Sequence, residues 1–279
     1  MLQLSSVERQ FVRKSRRTRA DGRSPFEGRE VSVHAETNQS TGRTRCEASL
    51  GNTMAYATVS VSAVAPSPDR PSEGTITVNT IASTVLKDNI DAKVLQKENA
   101  RIASILEQTI RETRAIDMES LCIVAGKKVW SLQCDIVVLN DAGNSIDCGC
   151  IAAFGALTNF RRPDVSVVGE TITIHHIHDR DPIPLSIHHV PLCTTFALYL
   201  DEESGVSEQE SPFFSFLDPS DREELAQDGS ITIVSNAHKE ICGIHKFGWP
   251  PLSHDKFAEL VLIATERSSL LEKKIVQNL

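Results

Sequence analysis

Residues 117–167 read DMESLCIVAGKKVWSLQCDIVVLNDAGNSIDCGCIAAFGALTNFRRPDVSV, and this stretch decides the fold. From Trp130 to Val138 the residues alternate. Trp130, Leu132, Cys134, Ile136 and Val138 fall on one face, and Ser131, Gln133, Asp135 and Val137 on the other, as in a long half-buried strand. Asn140 to Asn144 is a run of turn formers. Cys150 to Leu157 is apolar on every side, so a helix there lies in the interior rather than across a surface. A sheet must cover that helix, and the turn between strand and helix stands where an α/β site is built.

The totals bound the rest. A chain of 279 residues is long enough for two domains or one large one. Seven cysteines, odd in number and none in a C-x-x-C pair, argue against a disulfide framework and for a reducing compartment. The closest pair, Cys148-x-Cys150, has small apolar neighbours and reads as helix packing rather than as metal ligands. No run approaches membrane length, and no apolar segment near the start resembles a signal peptide. Net charge is −8, so any attraction for polyanions is local. Seven basic residues and one acid lie between Arg9 and Arg23, whereas ten acids and one base lie between Asp201 and Asp228.

Outward from the centre, Ser6 to Arg17 forms a short helix with Ser6 as a possible cap. Its basic cluster fits an import signal, an RNA-contacting arm or a solvated face. Strands are expected at Arg29–Ala35, Arg43–Leu50, Thr53–Ala63 and Thr75–Val78, with an exposed loop from Pro66 to Gly74. Asp91 to Arg114 is a long helix whose buried stripe is Ile102, Ile105, Leu106 and Ile110, leaving Arg101, Arg111 and Arg114 outside it. His175, His176 and His178 invite a metal reading, but no carboxylate or cysteine pair stands at ligand spacing. His188-His189 has no nucleophile spacing and reads as packing where the two halves meet.

Further strands are expected at Leu192–Leu200, Phe213–Leu217, Ile231–Ser235 and Glu240–His245. Asp201 to Ser211 is an acidic loop with nothing to bury. Ser220 to Glu223 is a capping box, and Ser253 caps a last helix with Phe257, Leu260, Val261, Ala264, Leu271 and Ile275 on one face.

The segments GKKVW, LNDAGNSID, FRRPDVSV and PLSIHHVPLC, in this order, resemble the RNase PH superfamily. Within it they are most similar to the non-catalytic RNase PH-like ring subunits of the eukaryotic RNA exosome, the polymyositis/scleroderma-autoantigen branch. The resemblance runs from Asp21-Gly22-Arg23 to about Ile244. It implies an α+β, RNase PH-like fold with an N-terminal helix and arm (1–28), an N-terminal domain resembling ribosomal S5 domain 2 (29–165) and a C-terminal domain ending in a long helix (166–279). The implied setting is a hexameric ring, in nucleus, nucleolus and cytoplasm, with S1/KH cap subunits, hydrolytic exoribonucleases and single-stranded RNA as partners. The N-terminal helix is expected to pack on the ring surface.

By the same resemblance Arg111 matches an arginine beside the RNA path. It is the first candidate for an RNA contact, Arg114 the second and Arg101 a third. Active members hold phosphate on a Thr-Arg turn before the buried helix and a divalent metal on nearby acids. Here the turn reads Asn144-Ser145-Ile146-Asp147, and no arginine or lysine occurs from Val129 to Phe160. A pocket without a positive side chain is therefore expected, with Asp147 repelling an incoming dianion. Asp218 and Asp228 remain of the acid-rich segment, each explained by a turn, and Ser230 stands where active members place an acid. No cofactor, metal or catalytic residue is expected, and no membrane partner.

Overall fold

The computed structural model describes residues 4–15, 18–38, 42–82, 92–169, 171–176, 179–200 and 213–277. Its first element, α1 (Ser6–Lys14), is capped one residue earlier than the pattern suggested. Ser5 is the cap, its hydroxyl accepting from the Glu8 amide at 3.2 Å while the Glu8 carboxylate takes the Ser5 amide at 2.9 Å. Arg16, Arg17, His178 and the 201–211 loop lie outside the described residues.

Strands β1 (Val31–Asn38), β2 (Arg43–Leu50) and β3 (Thr53–Val64) form an antiparallel meander. Then come β4 (Thr75–Ala82), α2 (Ala92–Arg111), β5 (Cys122–Val124) and β6 (Lys128–Asn140). The sheet runs β1-β2-β3-β6-β4, with β4 parallel to β6 and β5 folded onto it. The alternation from Trp130 to Val138 is realised in β6, whose inward residues are all buried.

That buried face is covered by α3 (Ser145–Asn159), in which every residue from Ile146 to Leu157 is buried. Helix and sheet approach closely at Gly155, where a side chain would run into Cys46. α2 lies beside α3 with its predicted stripe of Ile102, Ile105, Leu106 and Ile110 inward. After the short strands β7 (Arg161–Arg162), the hairpin β8 (Val165–Val168) with β9 (Thr171–Ile174), and β10 (Ile183–Pro184), the second half begins.

It consists of β11 (Leu192–Leu200), β12 (Phe213–Leu217), α4 (Asp221–Ala226), β13 (Gly229–Ser235), β14 (Ile241–Gly248) and α5 (His254–Gln277). The sheet order is β12-β11-β13-β14, all antiparallel. One face carries α5 through Leu260 and Ala264 against Ile231 and Ile233. The other meets α3, and a single apolar cluster takes in the first sheet, α3, Leu192, Cys193 and Val234. The end of β6 and the start of α3 therefore lie where the two halves meet.

Candidate functional site at the mouth of the buried helix

The bend before α3 is made by Gly143 and Asn144, both with positive φ, at 93° and 57°. Glycine is required at 143 because a Cβ there would strike the backbone of Pro219 to Asp221. Asn144 is held in the left-handed region by three bonds. Its amide donates to Glu224 Oε1 at 2.8 Å, and its side-chain NH2 donates to Asp218 Oδ1 at 2.7 Å and to Asp147 Oδ2 at 2.8 Å.

The bend is not free of cations, and this corrects the expectation drawn from the sequence. Arg29, from just before β1, donates to the carbonyls of Ala142 at 3.1 Å and Gly143 at 3.0 Å, and to both Asp218 oxygens at 2.7 and 3.0 Å. Arg267 of α5 brings its NH2 group to 4.0 Å from Asp147 Oδ2. A window of residues around the bend misses both arginines because each arrives from a remote segment.

Asp147 is corrected too. It is fully buried and turned into the junction, where it accepts from the Thr195 amide at 3.1 Å and hydroxyl at 2.7 Å. Burial raises its pKa to about 6, against the pull of Arg267 and of the bonds from Asn144 and Thr195. Burial also pushes Asp218 upward, but the bonds and charge of Arg29, with Arg267 and Asn144, outweigh it and hold Asp218 at about 2.

The remaining acids are also engaged. Asp218 is more than a turn former, since Arg23 reaches it at 3.2 Å besides Arg29. Asp228 accepts from Arg13 at 2.5 Å and from the Leu200 amide at 2.9 Å. Glu223 pairs with Arg19 through two bonds, and the same guanidinium reaches the carbonyls of Leu217 at 2.6 Å and Asp218 at 2.9 Å while lying over the Phe216 ring. The basic cluster of the N-terminal arm is thus largely an internal staple, with Arg13, Arg19 and Arg23 fastened to the chain's own second half. Among the described residues no group of three or more His, Cys, Asp or Glu is placed to hold a metal.

The three arginines singled out from the sequence separate in space. Arg111 and Arg114 line one open cleft of about 950 Å³, together with Arg70 and His188. Arg111 ends α2 with its side chain 63% exposed and 3.7 Å from Glu107, and Arg114 follows in a left-handed turn at φ 53°. Arg101 is elsewhere, donating to Ser230 Oγ at 3.1 Å with its guanidinium stacked 4.4 Å from the Phe247 ring centre.

Arg70 was missed because its loop carries no pattern beyond prolines; it pairs with Glu73 at 2.9 Å. His188 joins the halves through its backbone, donating to Ala115 O at 2.8 Å, while its exposed side chain lines the cleft. Asp69, Glu73, Glu107, Asp117 and Glu119 also line it, so the cleft is polar and mixed in charge, with carboxylates outnumbering its three arginines.

A meander sheet feeding a buried helix, joined through one core to a second four-stranded sheet, defines an RNase PH-type fold. The chain belongs to the 3′ exoribonuclease family: residues 27–163 match its domain 1 and residues 189–267 its domain 2. It is 36% identical over 278 residues to the exosome complex component RRP45 of Danio rerio, covering 98% of this chain and 66% of that protein. With the exosome complex component RRP45 of Saccharomyces cerevisiae it shares 32% identity, over 98% of this chain and 88% of the yeast protein. The chain thus spans slightly under two thirds of the zebrafish relative. Among solved structures, the Archaeoglobus fulgidus exosome with RNA bound to the active site matches with a TM-score of 0.78 at 25% identity, over 96% of this chain and 97% of that one.

Proposed function

We propose that this chain is a non-catalytic ring subunit of an exosome-type complex. In this reading it completes a ring of RNase PH-like subunits and lines a path for single-stranded RNA on its way to 3′→5′ processing and degradation. S1/KH cap subunits and hydrolytic exoribonucleases complete the assembly, in nucleus, nucleolus and cytoplasm. The relatives named as exosome components support the setting.

One observation carries the non-catalytic part: the Asn144 amide at the mouth of α3 donates to the chain's own Glu224 carboxylate. The N-terminus of a buried helix is a ready anion site, and here a carboxylate of the same chain already fills it. Arg29 is committed to Asp218, so it cannot deliver a free phosphate dianion without leaving a buried carboxylate unpaired.

Arg111 and Arg114 are the RNA contacts in this reading, by position in the cleft and by charge. The carboxylates beside them keep general affinity low, which suits a conduit that must release any strand. Incubating the purified chain, alone and within its complex, with single-stranded RNA and inorganic phosphate tests the reading. No nucleoside diphosphate traceable to this chain is expected; phosphate-dependent release abolished by Arg29→Met would overturn it.

A further inference from the structure

The loop between β3 and β4 reads Pro66-Ser67-Pro68-Asp69-Arg70-Pro71, and it is exposed from Ser67 to Arg70. Ser67 and Arg70 are bridge partners across a tight turn with Pro68 at its corner, the Arg70 amide donating to the Ser67 carbonyl at 3.1 Å. Bridge partners put their side chains on one face, so a group carried by Ser67 lies within reach of the Arg70 guanidinium. Both residues line the cleft that holds Arg111 and Arg114. The loop is seated there by the Gly126 amide on the Pro71 carbonyl at 2.8 Å and the Gly74 amide on the Met118 carbonyl at 2.9 Å.

Ser-Pro with arginine three positions after the serine is a pattern that protein kinases read through its chemistry. Proline has no amide hydrogen, so only a kinase groove that asks for no donor there accepts it, and the base beyond pairs with an acidic patch on the enzyme. The chain has three Ser-Pro pairs. Ser24-Pro25 is followed by Phe26 and Glu27, and Ser211-Pro212 by Phe213 and Phe214, so Ser67 alone has the base. Proline at a corner suits a turn in its own right, but a turn does not require an arginine of the same cleft opposite the serine. The bonds that close the turn are that from Arg70 to Ser67 and a longer one from the Glu73 amide to the Arg70 carbonyl at 3.4 Å, so it opens readily for a kinase.

We propose that Ser67 is a phosphorylation site for a proline-directed serine/threonine kinase, and that its phosphate turns the arginine cleft away from RNA. The Ser67 hydroxyl oxygen attacks the γ-phosphorus of MgATP. The new O–P bond forms as the bond to the β-phosphate oxygen breaks, ADP leaves with that electron pair, and the hydroxyl proton passes to a carboxylate of the kinase. Phosphoserine brings a charge of about −2 and three strong acceptor oxygens. Arg70 is paired with Glu73 at 2.9 Å and Arg111 with Glu107 at 3.7 Å, both exposed pairs that a phosphate dianion outcompetes. Carboxylates already outnumber arginines in the cleft, so the added charge leaves it repelling a polyanion. The site itself stands on the loop, whereas its effect on RNA rests on the reading above that Arg111 and Arg114 contact RNA.

Incubating the full chain and its assembled complex with MgATP and a proline-directed kinase, then mapping phosphate by mass spectrometry and measuring protection of single-stranded RNA, tests it. Phosphate is expected on Ser67, and Arg70→Ala should slow its transfer roughly tenfold by removing the base. Protection by the phosphorylated complex should weaken roughly tenfold or more at low salt, less as salt rises, and return on phosphatase treatment. The Ser67→Ala complex should not respond to the kinase. No phosphate on Ser67 while a Ser-Pro-x-Arg control peptide is phosphorylated, or phosphate on Ser24 or Ser211 alone, overturns the site. Full phosphorylation of Ser67 with unchanged RNA protection overturns the regulation. In that case a loss of protection in Arg111→Glu leaves the RNA path standing, and no loss in Arg111→Glu overturns the RNA reading as well.

Discussion

Asp147 and Asp218 accept hydrogen bonds from one and the same side-chain amide, that of Asn144, at 2.8 and 2.7 Å, yet burial and charge drive their pKa values in opposite directions. Asp147 has its remaining bonds from a neutral threonine and a guanidinium only at 4.0 Å, whereas Asp218 is directly paired with Arg29 and Arg23. Two carboxylates in one network are thus separated by which of them an arginine reaches.

The signs for stability are therefore opposite. Asp147 holds its proton more tightly folded, at about 6, than unfolded near 3.8, so its charged form costs stability above pH 6 and the cost is relieved as pH falls toward 4. Its size is roughly 3 kcal/mol. Asp218, at about 2, contributes stability above pH 4 that disappears as pH falls through 2. Urea midpoints of the wild type should rise from pH 7.5 to 4.5 relative to those of Asp147→Asn. Parallel curves would refute the assignment.

Removing the cation should be the costlier change. Arg29→Met leaves Asp218 buried with one partner fewer and frees the Ala142 and Gly143 carbonyls. Breaking such a pair from one side costs about 3–5 kcal/mol. Chemical denaturation should show that loss, and Arg29→Met with Asp218→Asn should recover part of it. A single-variant loss under about 1 kcal/mol would mean that water replaces the guanidinium.

The fold was legible because its signals are periodic. The two-residue alternation of β6 and the apolar circumference of α3 each demand one kind of burial, and β2, β11 and β12 fall at the expected residues. Arg111 and Arg114 are singled out by the resemblance, since lying off the helical stripe, as Arg101 does too, marks a solvated face as readily as a contact. The bend itself could not be read, since Arg29, Arg267 and Glu224 reach Asn144 and its neighbours from segments with no local tie to them. No pattern in sequence marks a pairing made only by tertiary structure. The partners of the basic arm were hidden for the same reason: they lie some two hundred residues away, at Asp218, Glu223 and Asp228.

The arm should act as a staple in solution. Arg19 has both a carboxylate and two carbonyls as partners, all buried, so Arg19→Lys keeps the charge but loses the forked geometry. A loss of about 2–3 kcal/mol is expected, with faster hydrogen exchange in α1 and α4 while the β1–β4 sheet is unaffected. Equal acceleration in both halves would show that the arm does not act locally.

Arg111 supplies the opposite case, a side chain whose removal should leave the fold alone. It is mostly exposed, and it makes an ion pair with Glu107 at 3.7 Å, a surface pair worth under about 1 kcal/mol. Arg111→Glu should therefore leave the melting temperature and the assembly of the complex unchanged. Losing one phosphate contact and adding a like charge should weaken RNA protection by the assembled complex about tenfold at low salt, and less as salt rises. Because the effect runs through charge, Arg111→Lys should retain most of the binding, whereas a bidentate phosphate clamp would not tolerate it. RNA protection unchanged by Arg111→Glu across that salt range would remove Arg111 from the path and leave Arg114 and Arg70 to account for the cleft.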